Sequence, residues 1–275
     1  MADRLAALLD NFSITARVFH TGTLCGINGL NDEDDLGQLH LIRAGTVEVK
    51  HNSAPALMIT EPSLLFYPRP LAHRFITDAE SGADFACANL SFDGGPGNPI
   101  ATALPDFVSL PLSAIPDSKS MLDVIFEEAF AQNCGRQAIL DRLFEVIVIQ
   151  VLRHLMEEGL TQIGMLSGMA HPRLRLALIA IHERPAHDWS LEGLAHQAGM
   201  SRSVFAKSFR DRIGITPAAY LQRWRISLVQ RALKQGQPFK LVVEEVGYSS
   251  EAALSRAFKS CMGCSPRQWL KQQAP

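Results

Sequence analysis

The chain has 275 residues, of which 47% are hydrophobic, and a formal net charge of −2. This length favours two domains of about 100 to 200 residues each. No apolar run reaches the ~18 residues that a membrane-spanning helix needs, so we expect no membrane partner. The first residues lack a basic segment followed by an apolar one, so no secretory signal is visible and the sequence predicts a cytoplasmic protein.

Charge is distributed unevenly along the chain. Residues 1–170 contain 10 Lys and Arg against 21 Asp and Glu, whereas residues 171–275 contain 16 against 7. A basic C-terminal part attached to an acidic N-terminal part is typical of proteins whose basic part meets phosphates, because Lys and Arg release the counterions condensed on nucleic acid. The alternative is a basic face that is merely solvated.

Residues 12–92 contain short alternating runs such as Leu39–Ile42, Gly45–Val49 and Leu64–Tyr67, separated by clusters of Gly, Pro, Asn and Asp. This pattern predicts a small antiparallel β-barrel or sandwich. We expect the barrel domain to cover residues 1–118.

The five cysteines are an odd number, and an odd number in a cytoplasmic chain argues against a structural disulfide framework. Buried, inert thiols are the common fate of such residues. A zinc site is an alternative for the barrel, because zinc accepts thiolate and imidazole ligands. No cofactor is certain, and the candidate zinc ligands are Cys25, His40, His73 and Cys87.

Two helices are predicted over residues 119–131 and 136–158, with a break at Asn133–Gly135. The second is apolar over much of its circumference, which favours either a homodimer interface or packing within the domain. We therefore treat residues 119–158 as a dimerisation element. Residues 159–170 are rich in Gly, Thr and Ser and are expected to form a flexible linker.

Residues 171–275 contain one helical pattern twice. Phe209, Gly214, Pro217 and Leu221 recur 49 positions later as Phe258, Gly263, Pro266 and Leu270. Two copies are too few for a solenoid, so the pattern predicts a pair of helix-turn-helix motifs joined by a long helix. The fold class is therefore α+β, with a barrel and two helices followed by an all-α domain.

The helical spacing separates a buried face from an exposed face in each copy. Phe205 and Phe209 face inward in the first copy, and Leu254 and Phe258 do so in the second. The remaining positions could contact the base edges of double-stranded DNA. They are Arg202, Ser203, Ala206, Lys207 and Arg210, and then Glu251, Ala252, Ser255, Arg256 and Lys259.

These motifs resemble the DNA-binding domain of the AraC/XylS family of transcriptional regulators. The resemblance covers about residues 171–273 and includes Trp189–Leu191, Gly199–Ser201, Val246–Tyr248, Ser255–Lys259 and Ser265–Pro266. It implies sequence-specific DNA binding, transcriptional activation and contact with RNA polymerase. The second copy departs from the family pattern at Glu251–Ala253, so its base preference is not readable.

The N-terminal part resembles the cupin-type sensor domain of such regulators. His40, Arg43–Gly45, Pro68–Pro70 and His73 carry this resemblance, although Pro70 stands where glycine is common and no second histidine lies two places from His40. The cysteine pattern is similar to the subgroup that contains the reactive-chlorine-sensing activator. That similarity implies that Cys25 and Cys87 respond to oxidant, since a thiolate reacts with hypochlorous acid or peroxide and a second thiol within reach traps the product.

Three alternatives remain open at this point. A small organic ligand or a metal ion in the barrel would also make the domain a sensor. A cupin-type metal-dependent enzyme is the rival from another class, but it needs a full ligand set with an open coordination position, and His40 with His73 falls short. We therefore expect a regulator and not an enzyme.

Overall fold

The computed structural model describes residues 3–30, 36–51, 55–93, 98–115, 119–159 and 163–273. The chain forms two compact units. One, here called the barrel unit, comprises Ile14–Phe92 and Leu104–Leu160, and the other, the helical unit, comprises Met1–Ser13, Asp93–Ala103 and Thr161–Pro275. Among the helices in the described ranges, none is both long and apolar enough to cross a membrane.

The barrel unit consists of two antiparallel sheets with strand orders β1-β8-β3-β6-β9 and β2-β7-β4-β5. Its interior is built from alternate residues of these strands, including Ile42, Val49 and Phe75, which are all fully buried. The mixed α+β class with an N-terminal cupin-like barrel is confirmed. The strands are β1 (Ile14–Leu24), β2 (Ile27–Leu30), β3 (Gly37–Ala44), β4 (Val47–His51), β5 (Leu57–Ile59), β6 (Ser63–Tyr67), β7 (His73–Thr77), β8 (Ala83–Phe92) and β9 (Val108–Pro111).

Two helices complete the barrel unit, α3 (Lys119–Phe130) and α4 (Arg136–Glu157), close to the predicted bounds. The carboxylates of Asp141 and Glu145 on α4 accept hydrogen bonds from the backbone N–H groups of Val18 (2.8 Å) and Ala16 (3.3 Å) on β1. Because β1 is an edge strand, these side chains satisfy donors that would otherwise lack a partner. Because Phe144, Ile147 and Val151 of α4 are fully buried, packing also accounts for much of the apolar character of this helix.

The helical unit contains ten helices within the described residues. The predicted repeat is present in the structure, because Gly214 and Gly263 end equivalent helices in the left-handed conformation, with φ of +86° and +75°. The helices are α1 (Ala6–Asn11), α2 (Pro99–Thr102), α5 (Met165–Ala170), α6 (Leu174–Glu183), α7 (Leu191–Gln197), α8 (Arg202–Ile213), α9 (Pro217–Lys234), α10 (Phe239–Glu245), α11 (Glu251–Met262) and α12 (Pro266–Gln273).

Two segments that we assigned to the barrel pack in the helical unit instead. The ring of Phe12 meets Trp224 edge-on, with centroids 5.3 Å apart. Arg231 on α9 donates to Asp93 and to Asn11, both at 3.2 Å. The residues flanking β1 and β8 therefore contact α9, which the strand pattern alone did not indicate.

The predicted linker is also shorter than residues 159–170, because α5 is a buried helix. Met165, Leu166 and Met169 are at most 6% exposed. A Cβ atom on Gly168 would lie 2.7 Å from Cδ1 of Leu178 and 2.8 Å from Cδ1 of Ile213, so these two side chains pack closely against the glycine. We misinterpreted a composition rich in small residues as flexibility. Residues 160–162 lie outside the described part of the chain.

Candidate nucleic-acid interface

The first helix-turn-helix motif consists of α7, a short turn and α8. The hydroxyl of Ser190 accepts from the backbone N–H of Gly193 (3.0 Å) and caps α7 as predicted. Gly199 has a φ of +59° and forms the sharp turn between α7 and α8. Phe205 and Phe209 are fully buried with ring centroids 5.4 Å apart, which fixes the rotation of α8.

This rotation places the predicted base-contacting residues of α8 outward. Arg202, Ser203, Lys207 and Arg210 are exposed, and Ala206 is half-buried. Lys207 forms an ion pair with Asp211 one turn later, with Nζ and Oδ2 2.7 Å apart. The hydrogen bond and the charge of Asp211 raise the pKa of Lys207. Because both partners are solvated, a phosphate or a guanine can replace Asp211 at little cost.

The second motif consists of α10, a turn and α11. Gly247 has a φ of +77°, and a Cβ atom there would lie 2.5 Å from the carbonyl oxygen of Ala186. Leu254 and Phe258 are fully buried. The exposed positions of α11 include one acidic and two basic residues, as the sequence indicated. Glu251, Ala252, Arg256 and Lys259 are exposed, and Ser255 is half-buried.

Helix α9 joins the two motifs and sets their separation. It has 18 residues, which corresponds to a length of about 27 Å at 1.5 Å per residue. Pro217 begins it, and the hydroxyl of Thr216 accepts from the N–H of Ala219 (3.3 Å). This length is comparable to the ~34 Å of one turn of B-DNA, the distance between successive major grooves on one face.

The two cysteines predicted to sense oxidant lie in different environments of the barrel unit. Cys25 is exposed in the β1–β2 turn, whereas Cys87 on β8 is 1% exposed. Burial raises the pKa of the Cys87 thiol, which disfavours the reactive thiolate. In the strand register Leu24 pairs with Ala83, so Cys25 and Cys87 are about five positions or ~16 Å apart. A disulfide requires Cα atoms within about 7 Å, so the two thiols cannot form one in this fold. The prediction that Cys87 lies within reach of Cys25 is therefore wrong.

Histidines occupy the interior of the same unit. The Nε2 atoms of His40 and His73 are 3.1 Å apart, and Nδ1 of His73 lies 2.7 Å from the carbonyl oxygen of Leu71. Because a carbonyl only accepts, His73 donates through Nδ1 and accepts at Nε2 from His40. Burial, followed by the charges of His73 and His20, lowers the pKa of His40, and burial lowers the pKa of His73 to about 4. Both rings are therefore neutral at neutral pH.

The four-residue zinc set proposed from the sequence is not assembled in the structure. His40 and His73 are in contact, and Cys87 lies opposite His40 in the β3–β8 register. Cys25, however, lies several positions away at the exposed turn. Within the described ranges no three His, Cys, Asp or Glu side chains are grouped closely enough to hold a metal ion. The zinc prediction is therefore wrong as a four-ligand site.

Known protein families match both the N-terminal and the C-terminal part of the chain. A cupin family model matches residues 3–157, and a helix-turn-helix domain model matches residues 194–272. An uncharacterized HTH-type transcriptional regulator of Haemophilus influenzae is 34% identical over 173 residues, covering 62% of this chain and 58% of that protein. The RCS-specific HTH-type transcriptional activator RclR of Escherichia coli is 26% identical over 246 residues, covering 86% of each chain.

The chain is a member of this cupin family. It also carries a helix-turn-helix domain, and its relatives include AraC-like transcription regulators. It spans about three fifths of the length of several curated relatives that it matches. Among solved structures, the DNA-binding domain of AdpA in complex with a target DNA is 29% identical, with a TM-score of 0.32, and covers 34% of this chain and 85% of that chain.

One residue that the sequence did not single out connects the two motifs. Arg225 on α9 donates to the carbonyl oxygens of Pro185 (2.7 Å), His187 (3.0 Å) and Gly247 (3.4 Å). Its guanidinium also lies 5.5 Å from the ring centre of Tyr248. Partial burial lowers the pKa of Arg225. Arg225 therefore joins the turn before the first motif to the turn within the second.

Proposed function

We propose that this protein is a sequence-specific regulator of transcription that binds double-stranded DNA through α8 and α11. The observation that carries the proposal is the pair of exposed basic helix faces, each fixed by buried aromatic or aliphatic residues and joined by one continuous helix. Charged donors on such faces suit guanine and phosphate. The predicted absence of enzymatic activity agrees with the relatives, which are named as transcriptional regulators.

Substitution of one exposed cation in each recognition helix tests DNA binding. Lys207→Ala and Arg256→Ala should each weaken binding about 5- to 150-fold if the contact is bidentate to guanine. The assay is fluorescence anisotropy on genomic fragments selected with the wild-type protein. Lys50→Ala, which removes an exposed cation of the barrel unit, is the matched control. Equal affinity of wild type and both recognition-helix variants would contradict the proposal.

For the sensing step we propose oxidation of Cys25 alone by hypochlorous acid or peroxide. The Cys25 thiol is exposed and packs against the turn between β7 and β8: its Sγ lies 2.7 Å from the position of a Cβ on Gly82 and 3.9 Å from the carbonyl oxygen of Glu80. Added oxygen has little room on that side, so oxidation would displace the turn. Strand β8 begins after this turn and ends at Phe92, and the next residue, Asp93, accepts from Arg231.

Promoter induction under oxidant tests this step. We expect Cys25→Ser to abolish induction, and Cys134→Ser, which removes another exposed thiol, to leave it unchanged. Unchanged induction in Cys25→Ser would end the redox proposal. The competing proposal of a ligand inside the barrel has less support, because His40, Tyr67, His73 and Phe75 are buried and in ring contact at 4.0 to 5.8 Å, and they fill much of the interior.

We further propose that the protein forms a homodimer through α4. Ile139 and Val146 are 43% and 41% exposed and lie seven residues apart on the same face. Half-buried Leu143 and Ile149 extend this apolar stripe. Light scattering after size exclusion should show a dimer of the full chain and a monomer of Val146→Glu. A wild-type monomer at tens of micromolar would contradict it. Activation and contact with RNA polymerase are proposed from the family resemblance alone.

A further inference from the structure

Both recognition helices end at the same cavity of the helical unit. The cavity has a volume of about 480 Å³ and is lined by Ile213 and Ile215 at the end of α8 and by Cys261 and Met262 at the end of α11. The middle of α9 forms another wall through Trp224. We call it the inter-motif cavity. Its volume lies within the range of about 300 to 1,000 Å³ that is usual for small-molecule sites.

The walls of the inter-motif cavity combine apolar side chains with neutral polar ones, and the charged side chain among the described lining residues is a cation. Arg223 is exposed at the rim, and among the described lining residues none is Asp or Glu. Trp224 is 3% exposed, and its indole N–H has no acceptor among the described residues. The hydroxyl of Ser227 is already used, because it donates to the carbonyl oxygen of Trp224 at 2.7 Å. The described lining thus includes a cation and a residue with an unpartnered buried donor, and it includes no carboxylate.

This combination selects one ligand class. An apolar wall binds an aliphatic or aromatic body, and an unopposed guanidinium binds a carboxylate, for which its donor geometry is suited. A neutral apolar molecule would give the guanidinium of Arg223 no anion to bind. A highly charged molecule would place charge against the apolar side chains of Ile213, Ile215 and Met262. The charge and the wall chemistry therefore favour a monocarboxylate with an apolar body.

We propose that the inter-motif cavity is a binding site for a small amphipathic monocarboxylate, with its carboxylate on Arg223 and its body between the ends of α8 and α11. This site is separate from Cys25 and from the exposed faces of the recognition helices. A ligand there contacts the last residues of both helices, so its binding couples to their relative placement.

Titration calorimetry of the full chain with octanoate tests the proposal without DNA. We expect saturable one-to-one binding with a Kd below about 1 mM, and at least tenfold weaker binding of octanamide, which keeps the apolar body and lacks the charge. Arg223→Met should weaken octanoate at least tenfold. Ala103→Phe, which places a ring into the cavity from α2's C-terminal end, should do the same.

Arg173→Met is the matched control, because it removes an exposed guanidinium away from the cavity. Urea midpoints equal to that of the wild type identify variants that remain folded. Absence of octanoate binding up to about 1 mM, equal affinity for octanamide, or full affinity in folded Arg223→Met and Ala103→Phe would each overturn the proposal. The octanamide comparison needs no variant and so does not depend on folding.

Discussion

Replacement of Arg225 by Met should destabilise the helical unit by about 2 to 3 kcal/mol. The side chain supplies three hydrogen bonds to backbone carbonyls, at 2.7, 3.0 and 3.4 Å. A hydrogen bond from a charged donor contributes about 1.5 to 3 kcal/mol net. We count the shortest bond in full and discount the other two, because one involves exposed atoms and the other is long. Because Met keeps an unbranched apolar side chain, the loss of stability measures the contribution of the guanidinium group.

The assay is urea unfolding followed by tryptophan fluorescence. All three tryptophans, at positions 189, 224 and 269, lie in the helical unit, so the signal reports on that unit. With a slope of about 2 kcal/mol per molar urea, the midpoint should fall by about 1 to 1.5 M. Arg223→Met, which removes an exposed guanidinium of the same helix, should change stability by less than about 0.5 kcal/mol. An Arg225→Met midpoint equal to that of the wild type would refute the reasoning.

Three further outcomes are expected. Gly247→Ala should cost about 3 kcal/mol, because a Cβ would lie 2.5 Å from the carbonyl oxygen of Ala186 at a φ of +77°, whereas Gly199→Ala, with a φ of +59° and nothing within 4 Å, should cost only about 1 kcal/mol; similar urea midpoints would contradict this. The thiol of Cys87 should react with a maleimide only on unfolding, because it is buried and its pKa is raised; mass spectrometry showing native labelling as fast as at an exposed thiol would exclude the description. Burial lowers the pKa of His182 to about 3, so the unfolded chain takes up a proton first as pH falls below about 6.5, and stability present above that pH is lost between about 6.5 and 3. At pH 5 the contribution of His182 to this loss should be about 2 kcal/mol, and the stability of His182→Gln should fall by about that much less between pH 7 and pH 5; the same pH dependence in both proteins would contradict the assignment.

The sequence predicted the recognition helices well because their periodicity is set by local packing. Phe205 and Phe209 mark the buried face of α8 by spacing alone, and Gly214 marks its end through the left-handed conformation. The positions of Phe12 and Asp93 could not be predicted, because each contacts a residue more than 130 positions away, Trp224 and Arg231 respectively. No periodic pattern encodes such a pair.

The sensor residues show a different limit. Composition does not distinguish Cys25 from Cys87, but the strand register places Cys25 at a turn and Cys87 inside the sheet. Register depends on pairing between distant strands, so spacing along the chain does not give the distance between the two thiols. Likewise, Arg225 was one arginine among several until the positions of its three carbonyl partners were known.

The carboxylates of α4 also disfavour one way in which two barrel units could associate, which is pairing of a second strand with β1. Asp141 and Glu145 occupy the backbone donors at Val18 and Ala16 of β1, the outermost strand of its sheet. An incoming strand would have to displace both side chains before it could pair there. Association by extending the sheet at these donors is therefore disfavoured, which protects this edge from aggregation. A second copy that covers the outward stripe of α4, the interface proposed above, leaves these two hydrogen bonds intact.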